Sequence, residues 1–181
     1  MEILIIVILL IALFSFWVVS TRRRLTVMNE NVESAVNQIG VQLSSRYDML
    51  AAALNQAKDY DVRTACNLIA KVNFHRCVIT SVSTTGEVME QEKMIQSVLE
   101  ELEKMVRQHP EINENKDYSK FMEAVDSYGR MLQTSTLIYN DSVSKFNRAV
   151  CMMPAKLIAG IMGFQQCSIW KISDVSNCET V

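Results

Sequence analysis

The stretch DYSKFMEAVDSYGRMLQTSTLIYNDSVSKFNRAVCMM, residues 117–153, carries the clearest periodicity of the chain. Mostly apolar side chains recur in it every seven residues, and a second set fills the intermediate steps. The two sets are Tyr118, Val125, Leu132, Tyr139, Phe146 and Met153, and Phe121, Tyr128, Ser135, Val143 and Val150. Such spacing over about five heptads is typical of coiled-coil packing and predicts one long helix over 117–153. Gly129 inside it costs about 1 kcal/mol relative to alanine, which indicates a close approach by another helix.

The composition favours helices elsewhere too, because 181 residues with five glycines and two prolines supply few turns. Apolar residues at helical spacing predict three more helices, over 22–57, 62–79 and 87–108. The glutamates of the third of these lie mostly off its apolar stripe, so they form either a solvated face or an acidic docking surface. The proline after His109 ends that helix, and PEINENKD at 110–117 is predicted as a loop.

Helix length predicts the architecture, since short connections make sequential helices antiparallel. We expect an all-α fold: an N-terminal transmembrane helix, an elongated antiparallel four-helix bundle with two long outer helices, and a short C-terminal apolar helix. The predicted domains are an anchor over 1–21, a bundle over 22–170 and a flexible tail over 171–181. An even number of helices brings residue 154 back towards the membrane.

The run ILIIVILLIALFSFWVV, residues 3–19, predicts the membrane anchor. As a helix it spans roughly 25 Å, close to the thickness of the hydrocarbon core. A cleaved signal peptide would need a basic segment before the apolar run, and only Met1 and Glu2 precede it. Three cations follow instead, Arg22, Arg23 and Arg24, and the positive-inside rule therefore places the N-terminus outside and the rest of the chain in the cytoplasm.

The five cysteines, odd in number and irregularly spaced, suit free thiols in a reducing compartment. Cys77 lies near His75 but lacks a second pair of ligands at metal-binding spacing. No phosphate-binding loop or catalytic motif occurs, so we expect no enzyme, no cofactor and no metal. The net charge of −2 argues against a nucleic-acid partner.

PAKLIAGIMGF, residues 154–164, is apolar and glycine-broken. Either it lies in the membrane interface or binds a partner, or it forms a short helix folded back on the bundle, with Gly160 and Gly163 permitting the turn. The candidate contact residues are Leu157, Ile158, Ile161, Phe164 and Trp170.

Polar residues on the two long helices form a second candidate group: Gln42, Arg46, Asp48, Asn140 and Asn147. If those helices pair, Gln42 and Arg46 would meet the asparagines and fix the register, as isolated polar residues do in coiled coils. A ligand or partner contact is the alternative.

Three runs in order, VQLSSRYD at 41–48, YNDSVSKFN at 139–147 and PAKLIAGIMGF at 154–164, together with the N-terminal apolar helix, resemble the LemA family of bacterial membrane proteins. The resemblance extends across nearly the whole chain. It implies an anchor with its N-terminus outside and a helical cytoplasmic domain, with no established biochemical activity for the family as a whole; some members are associated with magnetosome membranes. The family's leucine-rich Pro-Asn element is replaced here by MLAAALNQ at 49–56.

These features favour a membrane-anchored helical scaffold that docks protein partners whose identity the sequence does not reveal. The alternative is a membrane-shaping or envelope-stress-sensing protein whose C-terminal amphipathic segment contacts the lipid bilayer. An unpaired apolar seam would also permit self-association into a homo-oligomer.

Overall fold

The structure is a computed structural model that describes residues 1–80, 83 and 85–170, with Glu2 and Thr85 described by their backbone alone. Every regular element in these residues is helical, which confirms the all-α prediction. The elements are α1 (Glu2–Ala57), α2 (Val62–His75), α3 (Thr85–Gln108), a 3₁₀ helix (Pro110–Glu114), α4 (Lys116–Cys151) and α5 (Ala155–Met162). The predicted tail, 171–181, lies outside the described residues.

α1 joins the apolar N-terminal run and the predicted helix over 22–57 in one helix of 56 residues. No proline interrupts it, so nothing in the sequence ends the first helix before the second begins. Its predicted stripe is buried almost throughout: Leu25, Val32, Val36, Ile39, Leu43, Leu50, Leu54 and Ala57 are each less than a tenth exposed. The period of 3.6 residues thus selects the buried face correctly.

α2 begins at an N-cap, because the Asp61 carboxylate accepts hydrogen bonds from the backbone N–H groups of Arg63 and Thr64. The bonds from Thr64 hold the pKa of the Asp61 carboxyl below its usual value. The predicted end at residue 79 is wrong, since α2 stops at His75. Beyond it the chain is extended at Arg76 and lies against α1, where the Ile79 carbonyl oxygen is 2.7 Å from the position of a Cβ atom on Gly40.

The predicted loop over 110–117 contains the 3₁₀ helix, with Ile112 fully buried. Asn115 then caps α4, accepting hydrogen bonds from the backbone N–H groups of Asp117 and Tyr118. α4 ends at Cys151 rather than at Met153, which is 68% exposed. Pro154 disfavours helical backbone immediately before it, which explains the earlier end.

The described residues divide into two compact units. The first unit comprises residues 1–35 and 138–170, and the second comprises residues 36–137. Leu25 and Phe146 are among the largest fully buried side chains of the first unit, and Tyr47, Ile95 and Leu102 are among those of the second. The antiparallel four-helix arrangement and the predicted domain boundary at residue 21 stay predictions.

Candidate functional site

The apolar beginning of α1 is the one helix in the described chain long and apolar enough to cross a membrane. Its most apolar 18-residue window has a mean hydropathy of 3.1 and buries nothing against the protein. Ile3, Phe14 and Phe16 are each more than 60% exposed. In water such a surface would carry a large hydrophobic cost, so this segment is suited to a lipid environment.

α5 lies beside the end of this apolar run, and together they form a groove that we call the α5 groove. It is lined by Phe14, Trp17, Val18, Arg22, Pro154, Leu157, Ile158, Ile161 and Met162. Two α5 side chains remain largely free, Leu157 at 63% and Ile161 at 87% exposed, while Ile158 and Ala159 are buried. α5 therefore packs one face against the rest of the first unit and leaves one apolar face open.

Gly163 ends α5 in the left-handed region, with φ 75°, where glycine has no steric penalty. The backbone N–H of Phe164 bonds to the Ala159 carbonyl, which closes the helix end. After this turn the chain continues as residues 164–170, which we call the C-terminal strap. Gly160 lies inside α5 and meets no atom within 4 Å of an added Cβ, so the turn depends on Gly163 alone.

The C-terminal strap is fastened to α4 by two asparagines. Asn147 bonds to both the N–H and the C=O of Cys167, at 2.9 and 2.8 Å. Asn140 does the same with Trp170, at 2.8 Å for each bond. Seven residues of helix rise about 10.5 Å and three extended residues span about 10 Å, so the spacings match.

Aromatic contacts complete this attachment. The rings of Tyr139 and Trp170 have centroids 4.5 Å apart, and those of Phe146 and Phe164 meet edge to face at 6.0 Å. Burial raises the pKa of the Cys167 thiol, with a further contribution from the negative charge of Glu33. Burial raises the pKa of Tyr139 as well. The strap thus packs against α4, and burial there disfavours the reactive thiolate form of Cys167.

The second unit contains a buried polar cluster around Arg46. The Arg46 guanidinium, 6% exposed as a side chain, donates to the Glu92 carboxylate of α3 at 2.6 Å. The Tyr47 hydroxyl donates to the Gln91 backbone carbonyl at 3.2 Å. Burial, then the negative charge of Glu92, raises the pKa of Tyr47 to about 12. Four buried polar atoms here have no partner among the described residues: Gln42 Oε1, Arg46 Nε, Gln91 Oε1 and Glu92 Oε2.

Gly129 of α4 lies against this cluster, since an added Cβ would be 3.2 Å from the Arg46 guanidinium carbon. The close approach expected at Gly129 is therefore confirmed, and the approaching group is a side chain of α1. A side chain at this position would compete with the guanidinium for space.

Large apolar side chains of the second unit are exposed near the end of α2, with Phe74 in the last turn of that helix and Val78 in the extended residues after it. Phe74 is 84% and Val78 85% exposed, and Val41, next to Gly40 on α1, is 62% exposed. Arg76 fastens this segment to α1 by bonds to Asp48 at 2.6 Å and Ser44 at 2.8 Å. We call Val41, Phe74 and Val78 the apolar patch.

The model of the LemA family matches residues 35–181, most of the chain, and covers all three sequence runs that carry the resemblance. This protein belongs to the LemA family. No curated protein matches it significantly. Family membership together with the apolar start of α1 makes this LemA protein a membrane-associated helical protein.

The structure gives the predicted polar residues partners that differ from those expected. Arg46 meets Glu92 rather than the asparagines, and both asparagines bond to backbone groups of the strap. Asp48 pairs with Arg76, and Gln42 is among the residues with an unpartnered oxygen. An asparagine amide both donates and accepts, which suits the backbone C=O and N–H of one residue better than a guanidinium, which only donates.

The C-terminal candidates divide between two environments. Leu157 and Ile161 are exposed, Phe164 is half-buried, and Ile158 and Trp170 are buried. Arg22 lines the α5 groove, while Arg23 and Arg24 are exposed beyond it. Among the described residues, no group of three His, Cys, Asp or Glu side chains forms a metal site.

Sequence reasoning missed the role of Glu92 and the hydroxyl contacts of Tyr47 and Tyr139. The helical pattern places Glu92 among the glutamates of a solvated face or an acidic docking surface, yet Glu92 is the ion-pair partner of the buried Arg46. Glu101 likewise bonds to Lys71 at 2.8 Å. Glu92 directly follows Gln91, whose backbone carbonyl accepts a hydrogen bond from the Tyr47 hydroxyl. Only the fold brings these residues of α1 and α3 together.

Proposed function

We propose that this LemA protein is a single-pass, membrane-anchored helical docking protein without catalytic activity. In this proposal residues 3–19 span the bacterial inner membrane, and Arg22, Arg23 and Arg24 hold the N-terminus outside. The observation that carries the docking role is the apolar patch, which leaves Phe74 and Val78 more than four-fifths exposed beside a firmly bonded segment.

An exposed aromatic side chain at the end of a helix resembles the anchors that dominate protein interfaces. The entropic cost of binding is reduced because Arg76 already fixes the neighbouring backbone. The patch is small, so the partner must bring an apolar face of its own. A second copy of this chain is one such partner.

The test compares complexes of the full-length protein extracted from membranes in mild detergent. Phe74→Asp is expected to reduce the stoichiometric recovery of the partner at least about ten-fold, because a charge replaces an interface anchor. Leu137→Asp is the matched control, since Leu137 is 59% exposed in the same unit but outside the patch.

If nothing is recovered reproducibly and the chain is monomeric in nanodiscs, the docking role is wrong. Equal recovery with Phe74→Asp and Leu137→Asp would contradict the assignment to the patch. A complex of twice the chain mass identifies self-association.

A second candidate function, membrane shaping or envelope-stress sensing through α5, is favoured by a different observation. α5 lies beside Phe14 and Trp17 of the apolar run, and its open face presents Leu157 and Ile161. A helix with an open apolar face at this level is suited to insert shallowly into the interface.

Liposome flotation of a chain that begins at Arg24 tests this second candidate. Leu157→Asp and Ile161→Asp should each lower the bound fraction several-fold, because a carboxylate replaces a lipid-facing apolar group. Val78→Asp, equally exposed but in the second unit, should have no effect. Binding that is absent, or that survives both α5 substitutions, excludes the wedge.

A further inference from the structure

The α5 groove has two walls with regular helical spacing. On α1, Phe14, Val18 and Arg22 are four residues apart and therefore share one face. On α5, Leu157 and Ile161 are likewise four apart and stay exposed, so the groove is open on that side. From Phe14 to Arg22 the α1 wall rises about 12 Å.

The charge in this groove lies at one end. Of the described residues that line the groove, Arg22 alone is charged and the others are apolar. Among the described residues, neither an ion pair nor a hydrogen bond occupies the Arg22 side chain. Arg23 and Arg24 follow it directly and strengthen the positive potential there.

We propose that the α5 groove binds one anionic phospholipid, with an acyl chain against Phe14, Trp17 and Ile161 and the headgroup phosphate at Arg22. The proposal rests on the proposed anchoring of residues 3–19 and deepens the membrane contact of α5. With that anchoring, Arg22 lies at the headgroup level and the apolar wall lies in the hydrocarbon. Basic pockets at this level favour anionic headgroups, and their contribution is electrostatic.

A lipid fits this groove better than a peptide does. At the depth of Phe14 an entering irregular peptide would leave backbone N–H and C=O groups without hydrogen bonds, which is costly in hydrocarbon. An acyl chain has no such groups. The phosphate also satisfies the open guanidinium, which presents several donors in a planar fork.

Trp17 supplies a reporter inside the groove. The full-length chain carrying Trp170→Phe, so that Trp17 is the only tryptophan left, is reconstituted in nanodiscs. These contain phosphatidylcholine with either brominated phosphatidylglycerol or brominated phosphatidylcholine at equal mole fraction. We expect quenching of Trp17 to show about a five-fold preference for the anionic lipid.

Arg22→Gln should reduce that preference to about one, whereas Arg23→Gln, the same change of charge at the neighbouring residue outside the lining, should largely retain it. If Trp17 shows no preference for the anionic lipid in the chain with both arginines, or if the two variants lose the preference equally, the lipid site in the groove is wrong. The proposed anchoring of residues 3–19 is not affected by either result. If no brominated lipid quenches Trp17, the proposed anchoring fails, and the lipid site fails with it.

Discussion

Arg46 places a positive charge in the interior of the second unit, and its side chain occupies the space beside Gly129 of α4. Its guanidinium is held by Glu92 at 2.6 Å and has little room to move, since the residue is 5% exposed. Leaving such a charge without its partner costs about 3–5 kcal/mol. The limited space beside the guanidinium therefore suits a glycine at position 129, where helix propensity alone would prefer alanine.

A double-mutant cycle tests this relation. Gly129→Ala should destabilise the wild-type protein by about 1–2 kcal/mol, because crowding of the guanidinium outweighs a helix-propensity gain of about 1 kcal/mol. In an Arg46→Met background the same change should stabilise by up to about 1 kcal/mol. Denaturant unfolding in detergent measures the effect of Gly129→Ala on stability in each background. Equal effects in the two backgrounds would show that Gly129 and Arg46 are not coupled.

Tyr47 predicts how stability depends on alkaline pH. Burial and the charge of Glu92 raise its pKa to about 12 in the folded state, against about 10 when unfolded. The unfolded chain therefore loses the proton first as pH rises. Relative to Tyr47→Phe, the wild-type free energy of unfolding should be constant below about pH 10 and fall by up to about 1.4 kcal/mol per unit between about pH 10 and 12.

Comparing the wild type with Tyr47→Phe cancels the titration of lysines, which occurs in the same range. The measurement is the urea midpoint of each protein at a series of pH values. A difference between the two proteins that does not change with pH would show that Tyr47 ionises equally easily in both states.

At the scale of elements, the C-terminal strap is held by groups that recognise backbone. Asn140 and Asn147 each bond to the backbone N–H and C=O of one strap residue, so the attachment depends on their spacing along α4 rather than on strap side chains. Tyr139 adds a hydroxyl bond to the Ser168 carbonyl at 3.0 Å. Local opening of such a layer needs the loss of only a few bonds.

Asn147→Ala should loosen the strap and expose the thiol of Cys167. In a chain whose other cysteines are serine, maleimide labelling of Cys167 should accelerate on the order of ten-fold, since two hydrogen bonds are lost and the thiol pKa falls towards its ordinary value. Asn31→Ala is the control, because it makes the same side-chain change at an exposed position of the same unit. Equal labelling rates in the two variants would show that Asn147 does not hold the strap.

Periodicity predicted the buried faces of α1 and α4 because burial selects positions by their angle around the helix axis. It could not predict that α2 ends at His75, since the residues up to Ile79 keep an apolar pattern and the contact of Ile79 with Gly40 of α1 is visible only in the fold. The partners of Asn140 and Asn147 could not be predicted from the sequence either. A bond to backbone leaves no complementary side chain to recognise in the sequence.

At the scale of the whole molecule, the proposed function depends on which side of the membrane the second unit occupies. Orientation follows from cations near the ends of a span, not from contacts inside the folded chain. Arg22, Arg23 and Arg24 are exposed and need not be replaced to keep the core intact. Their effect on topology can therefore be separated from their effect on folding.

Replacing these three arginines with glutamine should invert a measurable fraction of the chains. In wild-type spheroplasts a membrane-impermeant maleimide should leave the exposed Cys66 unlabelled until the membrane is permeabilised, because we place the second unit inside. The triple variant should be labelled in part before permeabilisation.

Removing three exposed cations from α4 instead, at Lys116, Lys120 and Arg130, should leave Cys66 protected, since these lie far along the chain from the span. Full labelling of Cys66 in intact wild-type spheroplasts would place the second unit outside and exclude a cytoplasmic docking role.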